Sequence, residues 1–120
     1  MTPEGRVKAA VKRVLKALGA WYFMPVQTGR GVGGVPDFVV CVPVTVTPDM
    51  VGRTVGLFVG VETKAPGRRA SVSDLQRLQI DAIGRAGGLA VVIDDAAQLW
   101  DIPVFRSHME VKDANSGSQT

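Results

Sequence analysis

A succession of apolar segments with changing period constrains this 120-residue chain most. Residues 54–64, TVGLFVGVETK, are rich in valine, as a buried strand requires. Residues 73–86 follow, with Leu75, Leu78, Ala82, Ile83 and Ala86 at helical spacing and Gly87 and Gly88 as the stop. LAVVI, residues 89–93, is then a further buried strand. Upstream, residues 3–18 carry Val7, Val11, Val14, Leu15 and Leu18 at helical spacing. Thr2 suits the N-cap, Pro3 the first turn and Gly19 the C-terminal stop. Residues 20–26 read as a strand or an extended connection. Residues 35–44, VPDFVVCVPV, read as a strand whose Pro36 lies where a missing N–H is tolerated. The order helix, strands, helix, strand predicts an α/β fold with a small mixed central sheet flanked by helices.

The connections between these segments are turn-like. QTGRGVGG, residues 27–34, is a flexible glycine-rich loop, and 45–53 and 66–71 are turns or loops. Residues 95–100 suggest a short helix, and DIPVF, residues 101–105, an edge strand. The expected organisation is one domain over 1–106 and a polar, disordered tail over 107–120. A single cysteine excludes an internal disulfide framework and points to a reducing compartment, the cytoplasm. Cys41 reads as a small buried hydrophobe. One Cys and one His do not make a structural zinc site. No apolar run reaches membrane-spanning length, and the basic, Pro-containing N-terminus is not a secretory signal. The net charge of +3 permits an anionic partner. Arg6, Lys8, Lys12, Arg13 and Lys16 stand against Glu4 alone in the first twenty residues, and Arg68 and Arg69 form a second basic group.

The strand over 54–64 ends in two opposite charges. Side chains alternate along a strand, so Glu62 and Lys64 share one face and Thr63 points to the other. Antiparallel pairing of 35–44 with 54–64, the simplest topology, brings Asp37 near them. Two clustered carboxylates repel and need a cation. A hard divalent ion takes oxygen ligands and retains waters. Asp37, Glu62 and the main-chain carbonyl of Thr63 supply three oxygens, and Lys64 would orient or deprotonate a bound water that attacks phosphorus. Glu4 projects from the apolar side of its helix, where a carboxylate is costly unless paired or metal-linked. Each residue also has an ordinary role. Asp37 suits a turn, Glu62 and Lys64 a solvated strand exit, Gln76 a helix surface and Glu4 the positive end of a helix dipole.

Taken together, the order of these features resembles a known family. A glutamate on the first helix, then GVPD, a strand ending in ETK, and a helix opening SDLQRLQ and ending AGG are similar to the virus-type replication-repair nucleases. That family (VRR-NUC) belongs to the PD-(D/E)xK nuclease superfamily, and the resemblance covers residues 3 to 95. It implies a restriction-endonuclease-like core and a nuclease dependent on Mg²⁺ or Mn²⁺. Asp37 and Glu62 would be metal ligands and Lys64 the catalytic lysine. Glu4 would hold a metal-bound water or a second ion, and Gln76 would orient the site.

The resemblance further implies DNA as substrate, with Holliday-junction-resolvase-like action by a homodimer that presents two sites to two strands. Flap, end or duplex cleavage is the alternative within the same chemistry. A non-catalytic DNA-binding module would have lost Asp37, Glu62 or Lys64, and all three are present. The family name leans towards a phage source, which would place the protein in host cytoplasm. The glycine-rich GRGVGG lacks the following helix and terminal Lys-Ser or Lys-Thr of a nucleotide-binding loop. Gln27, Arg30, Arg68, Arg69 and Arg77 are instead candidate contacts to a DNA backbone, with ordinary surface charge as the other reading of the arginines.

Overall fold

The computed structural model describes residues 1–26, 34 and 36–108. The elements are α1 (Pro3–Ala17), β1 (Trp21–Phe23), β2 (Val39–Cys41), β3 (Val59–Thr63), α2 (Asp74–Arg85) and β4 (Leu89–Ile93). Short 3-10 helices span Pro48–Met50 and Ala96–Asp101. The chain divides into two compact units. The first comprises Met1–Gly60 and Asp74–Ala90, the second Val61–Ser73 and Val91–Thr120. β3 and β4 each run from one unit into the other.

Local signals explain the helix ends. The Thr2 hydroxyl accepts the Gly5 N–H at 3.0 Å and so satisfies a donor in the first turn of α1. At the other end, Gly19 adopts φ +71°, and the Ala20 N–H returns to the Leu15 carbonyl at 3.0 Å. α2 stops the same way: Gly87 has φ +89°, and the Gly88 N–H donates to the Ile83 carbonyl at 3.0 Å.

Among the described residues two two-stranded sheets are found where one central sheet was expected. β1 and β2 run antiparallel, with Trp21 opposite Cys41 and Phe23 opposite Val39. β3 pairs with β4. The Leu89 N–H donates to the Phe58 carbonyl and the Lys64 N–H to the Ile93 carbonyl. Partners advance together along both strands, so the pair is parallel and α2 is its crossover. The predicted antiparallel pairing of 35–44 with 54–64 is therefore corrected: β2 pairs with β1. Pro43, two residues past the end of β2, has no N–H for a ladder and limits the length of that strand. The alternating valines Val42, Val44 and Val46 join no strand and are exposed.

The first unit buries Leu15, Cys41, Ile83 and Ala86. Trp21 packs against Phe58, ring centroids 5.2 Å apart, and its indole N–H donates to Gln79 Oε1 at 2.8 Å. Leu75 and Leu78, expected on the buried stripe of α2, are 69% and 61% exposed. The buried face of α2 is instead centred on Ile83 and Ala86, near its C-terminal end. In the second unit Ile93 is buried. The predicted edge strand over 101–105 is also corrected: residues 103–108 are helical. Pro103 cannot donate to a ladder but suits a first helical turn, and the Phe105 and Arg106 N–H groups both reach the Ile102 carbonyl. The expected tail lies outside the described residues from position 109 onward.

Candidate active site

The second unit carries the end of β3. Glu62 and Lys64 fall on its less exposed face, while Val61 and Thr63 are exposed on the other. This is the face-sharing that a period of two predicts. Lys64 Nζ lies 3.7 Å from Glu62 Oε1, with the Lys64 side chain 18% and the Glu62 side chain 38% exposed. The partial burial brings a carboxylate and an ammonium together in surroundings less screened than open water.

The loop after Lys64 is folded on itself. The Arg68 N–H donates to the Ala65 carbonyl, and the Ser71 N–H and hydroxyl both donate to the Arg68 carbonyl. Gly67 has φ +80°, a conformation that favours glycine. Its N–H donates to Asp94 Oδ2 at 2.9 Å. The Arg69 Nε–H donates to the Val92 carbonyl at 3.1 Å, so this side chain is engaged within the unit. Arg68 is exposed.

Asp94 is held below the ordinary aspartate value of 3.8, first by the Gly67 N–H, then by Gln98, with a further contribution from the Arg69 charge. A carboxyl whose folded pKa is depressed stabilises the fold above its unfolded value and loses that contribution as pH falls through the folded one. The contacts to Asp94 are therefore expected to persist at neutral pH and to loosen only in acid below 3.8. A carboxyl-carbon NMR titration checks this, and a midpoint at or above 3.8 would contradict it.

The first unit carries the remaining expected residues. Asp37 is exposed and lies two residues before β2, beside Phe38, whose ring lies 5.7 Å from that of Tyr22. Glu4 continues the face of Val11 and Leu15, but at its open N-terminal end. Its side chain is 75% exposed, with Oε1 3.6 Å from Lys8 Nζ. The expectation of a costly core-facing carboxylate is corrected: the helical face is right, and the buried part of that face ends before Glu4. Gln76 lies half-buried in the first turn of α2, and Arg77 beside it is exposed. Gln27 and Arg30 lie outside the described residues.

Oxygen donors are the type that a hard cation takes. Asp37, Glu62 and the Thr63 carbonyl offer oxygens only, whereas the Cys41 thiol is buried and donates to the Ala86 carbonyl at 3.6 Å. Among the described residues no group of three or more His, Cys, Asp or Glu side chains is placed to hold a metal ion. The expected set counts two carboxylates, a main-chain carbonyl and waters, and its residues are divided between the two units.

Sequence reasoning missed Asp94 and Gln98. The only signal was their spacing of four at the end of an apolar strand, and nothing in it pointed to Gly67, 27 residues earlier.

A parallel strand pair joined by a helical crossover defines the class as a small mixed α/β protein. A family model described as the VRR-NUC domain matches residues 3–96, and the chain belongs to that family. Membership implies a nuclease fold and suggests nuclease activity and DNA binding. No curated protein and no solved structure gives a significant match.

Proposed function

We propose that this protein is a metal-dependent endodeoxyribonuclease that hydrolyses phosphodiester bonds in branched DNA, acting as a homodimer on four-way junctions. The observation that carries the reading is the Glu62–Lys64 pair, 3.7 Å apart at the end of β3 in a VRR-NUC chain. Asp37, Glu62 and the Thr63 carbonyl would hold Mg²⁺ or Mn²⁺, with Glu4 as a further acidic group and Gln76 as an orienting one. Such an ion polarises a phosphoryl oxygen and lowers the pKa of a bound water.

The chain's own contribution centres on Lys64. Its ammonium is a pure donor, so it orients the attacking water and offsets the negative charge that builds on the phosphate oxygens. Glu62, 3.7 Å away, directs that ammonium. Arg68 and Arg77, both exposed, offer phosphate contacts that bind without reading sequence. Among the described residues no helix is long and apolar enough to cross a membrane.

Labelled four-way junction, flap and linear duplex, each incubated with Mg²⁺, Mn²⁺ or EDTA, test the proposal. The expected result is junction cleavage with either ion and none with EDTA. No metal-dependent cleavage of any substrate overturns the nuclease reading. Cleavage of duplex but not junction keeps the chemistry and removes the branched substrate.

A further inference from the structure

The chain reverses direction directly after Lys64, and the second unit ties that reversal down at three points. The Lys64 N–H donates to the Ile93 carbonyl at 2.8 Å. The Gly67 N–H donates to Asp94 Oδ2 at 2.9 Å, and the Arg69 Nε–H to the Val92 carbonyl at 3.1 Å. The outer two bonds end on main-chain carbonyls of β4. The middle one ends on a carboxylate, and bonds to an ionised acceptor are roughly twice as strong as neutral ones.

That carboxylate is itself locked. The Asp94 N–H donates to Gln98 Oε1 at 3.0 Å, and Gln98 Nε2 donates back to Asp94 Oδ1 at 2.7 Å. The reciprocal pair fixes the rotation of both side chains and leaves Oδ2 directed at the loop. Gln98 sits in the 3-10 helix Ala96–Asp101, whose first turn is capped by Asp95 accepting the Ala97 N–H at 2.8 Å. The clamp therefore rests on a short element with its own cap.

We infer that Asp94, locked by Gln98, is a positioning residue for Lys64: it clamps the turn at Gly67 and so holds the lysine against Glu62. The inference rests on the nuclease reading of Lys64 given above. Without the carboxylate the turn loses its charged tie at Gly67, and the backbone between Lys64 and Arg69 gains freedom. Catalytic geometry is sensitive to such freedom, since a displacement of about 1 Å can cost about 10²-fold in rate.

Asp94→Ala, Asp94→Asn and Gln98→Ala test the clamp through two separate readouts. The first is native-state amide exchange at Gly67, followed by NMR. The second is single-turnover cleavage, with the Kd for the same DNA measured by anisotropy. Asp94→Ala is expected to speed Gly67 exchange about tenfold, as loss of a hydrogen bond to a charged group predicts. It is also expected to slow cleavage by up to about 10²-fold with Kd little changed. Asp94→Asn keeps an acceptor oxygen and should restore part of both, while Gln98→Ala should give a smaller loss of each.

Unchanged Gly67 exchange in Asp94→Ala overturns the clamp. Faster exchange with wild-type cleavage overturns the positioning role. Slower cleavage accompanied by equal loss of protection at Ile83 and Ala86 also overturns it, because the fold itself has then weakened. If the wild-type chain cuts no DNA, the nuclease reading fails, and Gly67 exchange alone decides the clamp.

Discussion

Lys64→Ala is expected to lower single-turnover cleavage by about 10²–10³-fold, the range for removing one preorganised donor that stabilises developing negative charge. The Kd for DNA should change little, because one ammonium among several exposed basic groups contributes a small part of backbone binding. The structural cost should also be small. The Lys64 main-chain bond to Ile93 survives the substitution, and the lost ion pair with Glu62 is partly exposed. The variant leaves Glu62 without that partner at 3.7 Å, so divalent-ion affinity should hold or rise. Rates and binding isotherms on one DNA substrate check these outcomes together. Cleavage at the wild-type rate removes Lys64 from the chemistry. Cleavage and binding lost in parallel makes it a binding residue.

Gly88→Ala carries the largest expected effect on stability. A Cβ at this position would stand 2.9 Å from Ile83 Cγ2, 3.0 Å from Cys41 Sγ and 3.3 Å from the Phe58 carbonyl oxygen. None of these neighbours retreats easily. Ile83 and Cys41 are buried, and the Phe58 oxygen already accepts the Leu89 N–H. Overpacking of this kind costs about 1–3 kcal/mol. Gly84→Ala, on the same stretch of chain, is the control. A Cβ there meets nothing within 4 Å, and alanine is favoured over glycine inside a helix by about 0.5–1 kcal/mol. Urea denaturation should move the two midpoints in opposite directions with similar slopes. Equal midpoints would mean that α2 and β2 do not meet as closely as described.

The helices were legible in the sequence because their ends are chemical. Thr2, Pro3 and Gly19 mark α1, and Gly87 marks the end of α2 within a residue of where periodicity stops. β4 was legible because an unbroken apolar run of five residues follows that stop. Strand pairing was not. The alternation of Val42, Val44 and Val46 declares an extended backbone but not its partner, and Pro43 removes the N–H that a longer ladder would use. Helical periodicity likewise gave Glu4 its face without showing where burial along that face ends. In the candidate site, the shared face of Glu62 and Lys64 follows from strand period alone. The bond from Gly67 to Asp94 spans 27 residues and has no periodic trace, so only the folded chain reveals it.

Cys41 has a consequence beyond packing. It is the single thiol of the chain, and its Sγ lies against the Ala86 carbonyl just beyond the end of α2. An alkylating reagent needs the thiolate in contact with solvent. It can therefore modify this residue only in molecules whose first unit has opened around β2. The pace of modification is then a clock for that opening, and its ratio to the pace for an exposed thiol gives the opening equilibrium. The protein thus carries its own reporter of breathing, read without adding a label elsewhere.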